Sequence, residues 1–206
     1  INAYNRPVAL RRLLDSIGKA RFPSGEKIRL HISIDRGDNQ AVLEIARAFD
    51  WPNGEKCVIY QPAKLGLVEH FLYCGGLAKD YGRIIYLEDD LVVSPVFYYY
   101  ACQALEKYQS DERIAGISLY SLWFNGYTQY PFIPILDESD IFFLQVPFYL
   151  GQAFTAAQWE HYSSWMASGD RQLSLDDPIH EAFSSFPPDD WFPLRMKYLI
   201  TTSRYY

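Results

Sequence analysis

Three consecutive carboxylates, Glu88-Asp89-Asp90, follow an apolar run and precede Leu91-Val92-Val93-Ser94-Pro95. Like charges packed this closely repel and raise one another's pKa, so the cluster needs a counter-charge. A hard divalent cation, Mn²⁺ or Mg²⁺, supplies one: it takes carboxylate oxygens and leaves positions for water and phosphate. Such a cation bridges a pyrophosphate and offsets charge on a departing diphosphate. The plainer alternative is a solvated acidic turn that caps the following helix, and the apolar segments on both sides argue against it. Two more polar clusters follow apolar runs earlier in the chain, Asn5-Arg6 and Asp35-Arg36-Gly37-Asp38. Arg6 directly precedes Pro7, where a guanidinium can pair with phosphate while helix amides assist. A surface ion pair is the competing role for Arg6.

The elements that must position these clusters alternate through the first half of the chain. Ile1–Ala3 reads as the tail of a strand, and Pro7 suits the first position of a helix, where its missing N–H costs nothing. Val8, Leu10, Leu13, Leu14 and Ile17 then recur at helical spacing. Ile28–Ile34 is a strand ending in a polar turn that caps a helix over Ala41–Phe49. Cys57–Tyr60 is a third strand, Leu65 opens a helix running to about Lys79, and Arg83–Leu87 is the strand that delivers the three acids. Pro95 starts a helix over Val96–Tyr108, and Ile114–Ser118 is a fifth strand. Strands separated by helices require crossover connections and therefore a mainly parallel sheet. In an open parallel sheet the ligand crevice lies beyond the carboxyl ends of the strands. All three polar clusters fall at that edge.

The second half is richer in Pro, Gly and aromatics over Tyr120–Pro147, with a strand expected at Ile141–Val146. Helices are expected at Gln158–Ala167 and Asp176–Ser185, and a last strand at Tyr198–Thr202. No internal repeat or low-complexity linker separates the halves. The second half therefore reads as a lobe packed on the first.

The formal net charge is −6 and no Lys/Arg block exists, which excludes the basic stripe of a nucleic-acid binder. Aromatics make up 17% of the chain, a surplus that suits sugar-lined clefts but mostly serves core packing. Cys57, Cys74 and Cys102 are widely spaced, without a CxxC or Cys/His ligand pattern, and read as buried apolar residues. No run reaches the roughly 20 apolar residues of a membrane span, and no signal peptide is visible.

The segment Ile84–Tyr98 (IIYLEDDLVVSPVFY) resembles the metal-binding strand and following helix of inverting GT-A glycosyltransferases. Its nearest likeness is to the N-acetylglucosaminyltransferase I family, which includes the protein O-mannose enzyme; the likeness to family 2 type glycosyltransferases is more distant. Asn5-Arg6 with Leu10-Arg11-Arg12 and Leu14 resembles that family's first strand-helix junction. Ser33-Ile34-Asp35 resembles the end of its second strand. Phe186–Trp191 and the later Ser203-Arg204 resemble its Trp-Asp-Asp-Trp segment and following Ser-Arg. The resemblance spans nearly the whole chain and is thin between Gly126 and Ile141.

The resemblance implies that Asp90 is the direct metal ligand, while Glu88 and Asp89 hold the sugar and ribose of the donor. It implies that Arg6 contacts the diphosphate and Asp35 the uracil. It makes Asp190 the general base, a role that inversion independently requires of a carboxylate facing the acceptor hydroxyl. Asp189 is the competitor, and the Pro187-Pro188-Asp189-Asp190 run can instead cap a turn. Two departures stand out. Lys64 to His70 do not align with the family's base-contacting loop, although Lys64 and His70 are candidates to face a nucleotide. Tyr149-Leu150-Gly151-Gln152 places Gln152 where the family has Trp, leaving the donor sugar open. Trp123, Phe124 and Asn125 fall where the family approaches donor sugar and acceptor.

The expected fold is a single GT-A, Rossmann-like three-layer α/β domain over residues 1–206, cut at both ends. Residues 1–118 form its nucleotide-sugar-binding half and 119–206 an acceptor-side C-terminal lobe. The expected function is metal-dependent, inverting transfer of a sugar, N-acetylglucosamine among the candidates, from a UDP-linked donor to a hydroxyl of a glycan or similar acceptor. A nucleotidyltransferase shares the acidic metal site but brings a Gly-rich loop after the first strand, and Asn5-Arg6-Pro7-Val8 is no such loop. An inactive nucleotide-sugar-binding module is the non-enzymatic alternative. A bacterial protein of this kind would be cytoplasmic, the placement the low cysteine count favours, and a eukaryotic one would face the Golgi lumen.

Overall fold

The computed structural model describes residues 1–120, 130–131, 141–143 and 150–167. The expected helix at 176–185, the strand at 198–202, residues 144–146 of the expected strand at 141–146, and Trp123, Phe124, Asn125, Asp189 and Asp190 lie outside them. Two compact units are formed, Ile1–Leu119 with Tyr149–Trp159, and Tyr120–Phe148 with Glu160–Tyr206. The site lies in the first.

Each expected strand and helix of the first 120 residues is present. Strands β1 (Asn2–Ala3), β2 (Leu30–Ile34) and β3 (Lys56–Tyr60) form a parallel three-stranded sheet in the order β1-β2-β3. Helices α1 (Pro7–Gly18) and α2 (Gln40–Ala48) make the crossovers between them. Pro7 stands at the start of α1, and Asn39 caps α2 by accepting a hydrogen bond from the Ala41 amide at 3.1 Å. The far end of α2 is closed by Lys56, whose Nζ donates to the carbonyls of Ala46, Arg47 and Phe49.

A second sheet has the order β4-β6-β5, built from β4 (Arg83–Tyr86), β5 (Ile117–Ser118) and β6 (Gln152–Thr155), with β6 antiparallel to both neighbours. The two sheets meet where the Asn2 amide donates to the Leu87 carbonyl at 2.8 Å, beside a parallel bridge between Asn2 and Glu88. The protein is thus mixed α/β, and the parallel arrangement expected from the alternating elements holds for β1 to β4. Beyond β4 it gives way to antiparallel pairing.

Helices cover both sheet faces. Ile32 and Ile34 of β2 pack with Leu10 and Leu14 of α1 and Val42 and Ala46 of α2. Leu13 and Ile17, from the next stripe of α1, share a cluster with Leu87, Trp51 and Phe97. Helix α5 (Phe97–Tyr108) lays Ala101, Ala104 and Leu105 against Ile117 and Ala153. Alternation sends Ser33 and Tyr86 to the opposite face. There α3 (Gly66–Gly76) brings His70 onto Ser33 and Phe71 onto Tyr86.

Several elements differ from expectation, and most do so for a local reason. The helix expected to run to about Lys79 breaks after the consecutive glycines Gly75-Gly76, poor residues for a helix interior, and resumes as the short α4 (Ala78–Tyr81). Gly75 has a packing role as well: a Cβ there would collide with the Trp159 ring. The fifth strand is two residues long because Ile114 is held in a turn, its amide on the Asp111 carbonyl and its own carbonyl on Gln158 Nε2. Residues 141–143 form no strand. Strand β6 was not foreseen; its four residues lie between Gly151 and α6 (Ala156–Ala167), which starts two residues earlier than expected. Thr155 and Gln158 form a capping box at that start, with Gln158 Oε1 accepting from the Thr155 amide at 2.9 Å and Thr155 Oγ1 from the Gln158 amide at 3.2 Å.

A cavity of about 330 Å³ is lined by Ile1, Leu30, His31, Trp51, Ile85 and Leu87 among others. The three cysteines are free. Among the described residues, no helix is long and apolar enough to cross a membrane.

Candidate functional site

The loops after β1, β2, β3 and β4 converge on one residue, Tyr4. Its amide donates to Asp89 Oδ2 at 3.1 Å. Its ring packs so closely on Gly37 that a Cβ there would come within 2.9 Å of the ring. Lys64 Nζ stands 5.2 Å from the ring centroid, a cation-π contact. The expectation that Asn5-Arg6, Asp35 to Asp38 and Glu88 to Asp90 share one sheet edge is met through these contacts. Tyr4 itself was not singled out from sequence, and its only signal there was an aromatic residue at a strand end.

The three acids occupy three different environments. Asp89 is buried, 1% exposed. Burial pushes its carboxyl above the usual range, opposed by the Tyr4 amide and the Arg6 charge. Arg6 Nη2 lies 2.7 Å from Asp89 Oδ1, off the N–H axis, so the contact is an ion pair rather than an aligned hydrogen bond. Glu88 is half-buried with its pKa raised to about 7, through burial first and the Asp90 charge second. Tyr86 Oη donates weakly to Glu88 Oε1 at 3.5 Å while accepting from Asn2 Nδ2 at 2.6 Å.

Asp90 is the most open of the three, its side chain 37% exposed. Its Oδ2 accepts from Arg6 Nη1 at 2.6 Å, and its main-chain carbonyl accepts from Arg12 Nη2 at 2.9 Å. Its Oδ1 is shielded from solvent and has no hydrogen-bond partner among the described residues. Arg12 stands six residues beyond Arg6, about one and two-thirds helical turns. In sequence it is visible only as part of the Leu10-Arg11-Arg12 run. The exit from the cluster is tied down as well, since the Val93 amide donates to Ser16 Oγ at 3.1 Å and the Arg21 amide to the Pro95 carbonyl at 2.8 Å.

Asp35 is 3% exposed and spends its carboxylate on main-chain amides. Oδ1 accepts from Arg36 and Leu65 at 2.8 Å each, and Oδ2 accepts from Gly66 at 2.9 Å. Successive amides can converge in this way because Gly66 adopts φ +81°, open to glycine at little cost. Burial would raise the Asp35 pKa, but the amides of Leu65, Gly66 and Arg36 outweigh it and hold it below the usual carboxylate range. Asp35 thereby ties the start of α3 to the end of β2. One turn later, His70 Nε2 lies 2.7 Å from Ser33 Oγ, which also accepts from Gln61 Nε2 at 3.0 Å. His70 is 2% exposed, and burial lowers its pKa. It is a buried, hydrogen-bonded histidine at the back of the site, while Lys64 stands at its rim.

The linkage sign for Asp35 follows from its lowered pKa. Its interactions contribute fully to stability above the unfolded carboxylate value, about 3.9, and are lost as pH falls through the lower folded value. Asp35→Asn is expected to cost roughly 3 kcal/mol at pH 7, since charge-assisted bonds to buried amides are weakened together. Urea unfolding from pH 7 to pH 2 will show the gap between wild type and variant narrowing at the acid end. A gap independent of pH would rule out the ionised carboxylate as its source.

The metal expectation can be tested against the donor set. Among the described residues, no group of three or more His, Cys, Asp or Glu side chains gathers to chelate an ion. What Asp90 offers is one oxygen paired with Arg6 and one shielded and unpartnered. A single carboxylate fits a hard cation that takes its remaining oxygens from water and a diphosphate. It does not fit a site closed by protein ligands alone.

No family model matches the chain, and no curated protein matches it.

Proposed function

We propose that the chain is a glycosyltransferase of GT-A type that transfers a sugar with inversion from a nucleotide diphosphate donor, UDP-linked, to an acceptor hydroxyl. The observation that carries this reading is the junction of Arg6 with Asp89 and Asp90 at 2.7 and 2.6 Å, at the carboxyl edge of a parallel sheet. It joins a cation suited to a diphosphate and a carboxylate with a spare oxygen in the crevice where such sheets bind ligands. Support also comes from the rim of Tyr4, Lys64 and Gly37, which offers a ring and a positive charge next to the loop anchored by Asp35.

In this reading Arg6 pairs with the diphosphate, and Asp90 would hold a Mn²⁺ or Mg²⁺ ion through its carboxylate. The ion, when bound, supplies positive charge that offsets the departing diphosphate. Glu88 borders the ribose and sugar, and the Asp35-anchored loop borders the uracil. Buried Asp89 acts behind Glu88 by holding Arg6 and the Tyr4 amide rather than by touching the donor. Asp190, with Asp189 as its competitor, accepts the proton of the acceptor hydroxyl as that oxygen attacks the anomeric carbon from the face opposite the leaving group. Gln152 stands in β6, beside Tyr86 in register, and is the residue to examine for donor-sugar choice.

Incubation with Mn²⁺ and a panel of nucleotide sugars tests the reading and identifies the donor. Slow hydrolysis of one UDP-sugar, releasing UDP and free sugar, is the expected result. Release of pyrophosphate from a nucleoside triphosphate and a sugar phosphate, with no UDP-sugar consumed, would overturn it in favour of nucleotidyl transfer.

A further inference from the structure

Arg6 holds the position of a cation. Its guanidinium spans the cluster, Nη2 on Asp89 Oδ1 and Nη1 on Asp90 Oδ2, and occupies one of the two Asp90 oxygens that a metal would use. The other, Oδ1, is shielded and unpartnered. Three acids at this spot without a counter-charge would repel strongly. Arg6 is also 55% exposed on a side chain with several rotatable bonds, so it can change partners without breaking the core. Asp89 does not depend on Arg6 alone, because the Tyr4 amide holds its Oδ2. The main chain of Asp90 is held separately by Arg12. The cluster therefore keeps its shape when Arg6 leaves.

We propose that Arg6 is an internal counter-ion that keeps divalent metal off Asp90 until a diphosphate draws the guanidinium away, so that metal and nucleotide bind as mutually dependent ligands. This rests on the reading of Asp90 as the metal ligand. A bare metal ion meets a competing positive charge and binds weakly. A nucleoside diphosphate gives the guanidinium a doubly charged partner in bidentate geometry, frees Asp90 Oδ2, and adds its own oxygens to the metal. Linkage makes the effect reciprocal: the metal raises diphosphate affinity by the factor by which diphosphate raises metal affinity.

Equilibrium dialysis measures protein-bound Mn²⁺ with and without UDP at equal concentration on both sides, using wild type, Arg6→Gln and Arg6→Lys. Without UDP, Arg6→Gln is expected to bind Mn²⁺ about five- to tenfold more tightly than wild type, since an exposed ion pair and its charge repulsion are removed. Arg6→Lys keeps the charge and should stay near wild type. With UDP, wild type gains Mn²⁺ affinity strongly and Arg6→Gln gains much less, so the order of the two reverses. A merely structural role for Arg6 would weaken binding in both conditions and would overturn the proposal. So would Arg6→Gln equal to wild type without UDP while wild type still responds to UDP; the metal reading would then survive. Absence of bound Mn²⁺ in wild type both with and without UDP would bring down the metal reading and the exchange together. Should Arg6→Gln fail to fold, wild type at rising NaCl tests the same exchange, because screening the Arg6–Asp90 pair must narrow the UDP-dependent gain.

Discussion

Replacing Asp90 by Asn is expected to lower Mn²⁺-dependent release of UDP from the donor sugar at least about 100-fold, since even residues that only orient metal ligands are worth 10–100-fold. The substitution keeps the side chain's size and removes the charge that binds the ion. The fold should survive, because the side chain is 37% exposed and its main chain is held by Arg12 rather than by its own carboxylate. Thermal melting of the variant within a few degrees of wild type would show that the loss is local. Arg6 loses one of its two partners in the variant and keeps Asp89. The remaining activity should be indifferent to added Mn²⁺ and to EDTA. If Asp90→Asn kept wild-type activity and metal response, the ion would have to sit elsewhere and the roles assigned to Glu88 and Asp89 would fall with it.

The second large effect concerns the base. Asp190→Asn should leave binding of UDP and of the donor unchanged, while transfer to an acceptor falls about 100- to 10,000-fold, the range of a positioned general base. Asp189→Asn, measured in parallel, should cost less than about tenfold if Asp189 only flanks the base. Single-turnover transfer separates the two, because it follows the step in which the hydroxyl is deprotonated and not the release of product. A large loss in Asp189→Asn with Asp190→Asn near wild type would exchange the two assignments. Equal and small losses in both would mean that neither carboxylate takes the proton.

How far the site could be read from sequence depended on whether a residue's partner was near in sequence or far. Pro7 at a helix start and a polar turn capping the next helix rest on bonds within a few residues, and both were legible, Asn39 proving to be the capping residue. The sheet edge was legible too, because apolar strands that end in polar residues mark it. Tyr4 was not: its partners are Gly37, Lys64 and Asp89, and only the folded sheet brings them together. Arg12 reaches the Asp90 carbonyl across 78 residues, a contact that neither helical spacing nor residue type announces. Strand β6 escaped notice because four residues carry too little alternation to separate them from a loop, and because its pairing with β4 joins residues about 70 apart in sequence. The environments that separate Glu88, Asp89 and Asp90 are likewise tertiary. Three adjacent acids look alike in a sequence. Burial, one main-chain amide and one arginine make one an anchor, one a carboxyl raised to about 7, and one a more open carboxylate.

Asp35 shows the same division. Its place at the end of β2 was readable, and the resemblance assigns it to the uracil. In the fold both of its oxygens are engaged by the amides of Arg36, Leu65 and Gly66. Its most direct effect is to fix the loop that carries Lys64, so any influence on a base acts at least partly through that loop.

The central claim, a diphosphate and a divalent ion sharing the Arg6–Asp90 corner, is tested most directly by calorimetric titration of UDP into the wild-type protein, once with Mn²⁺ in excess and once in EDTA. The account predicts clear binding with Mn²⁺ and at least about tenfold weaker binding in EDTA, because both ligands draw on the same carboxylate and guanidinium. UDP binding of equal strength in the two buffers, or no binding in either, would contradict it.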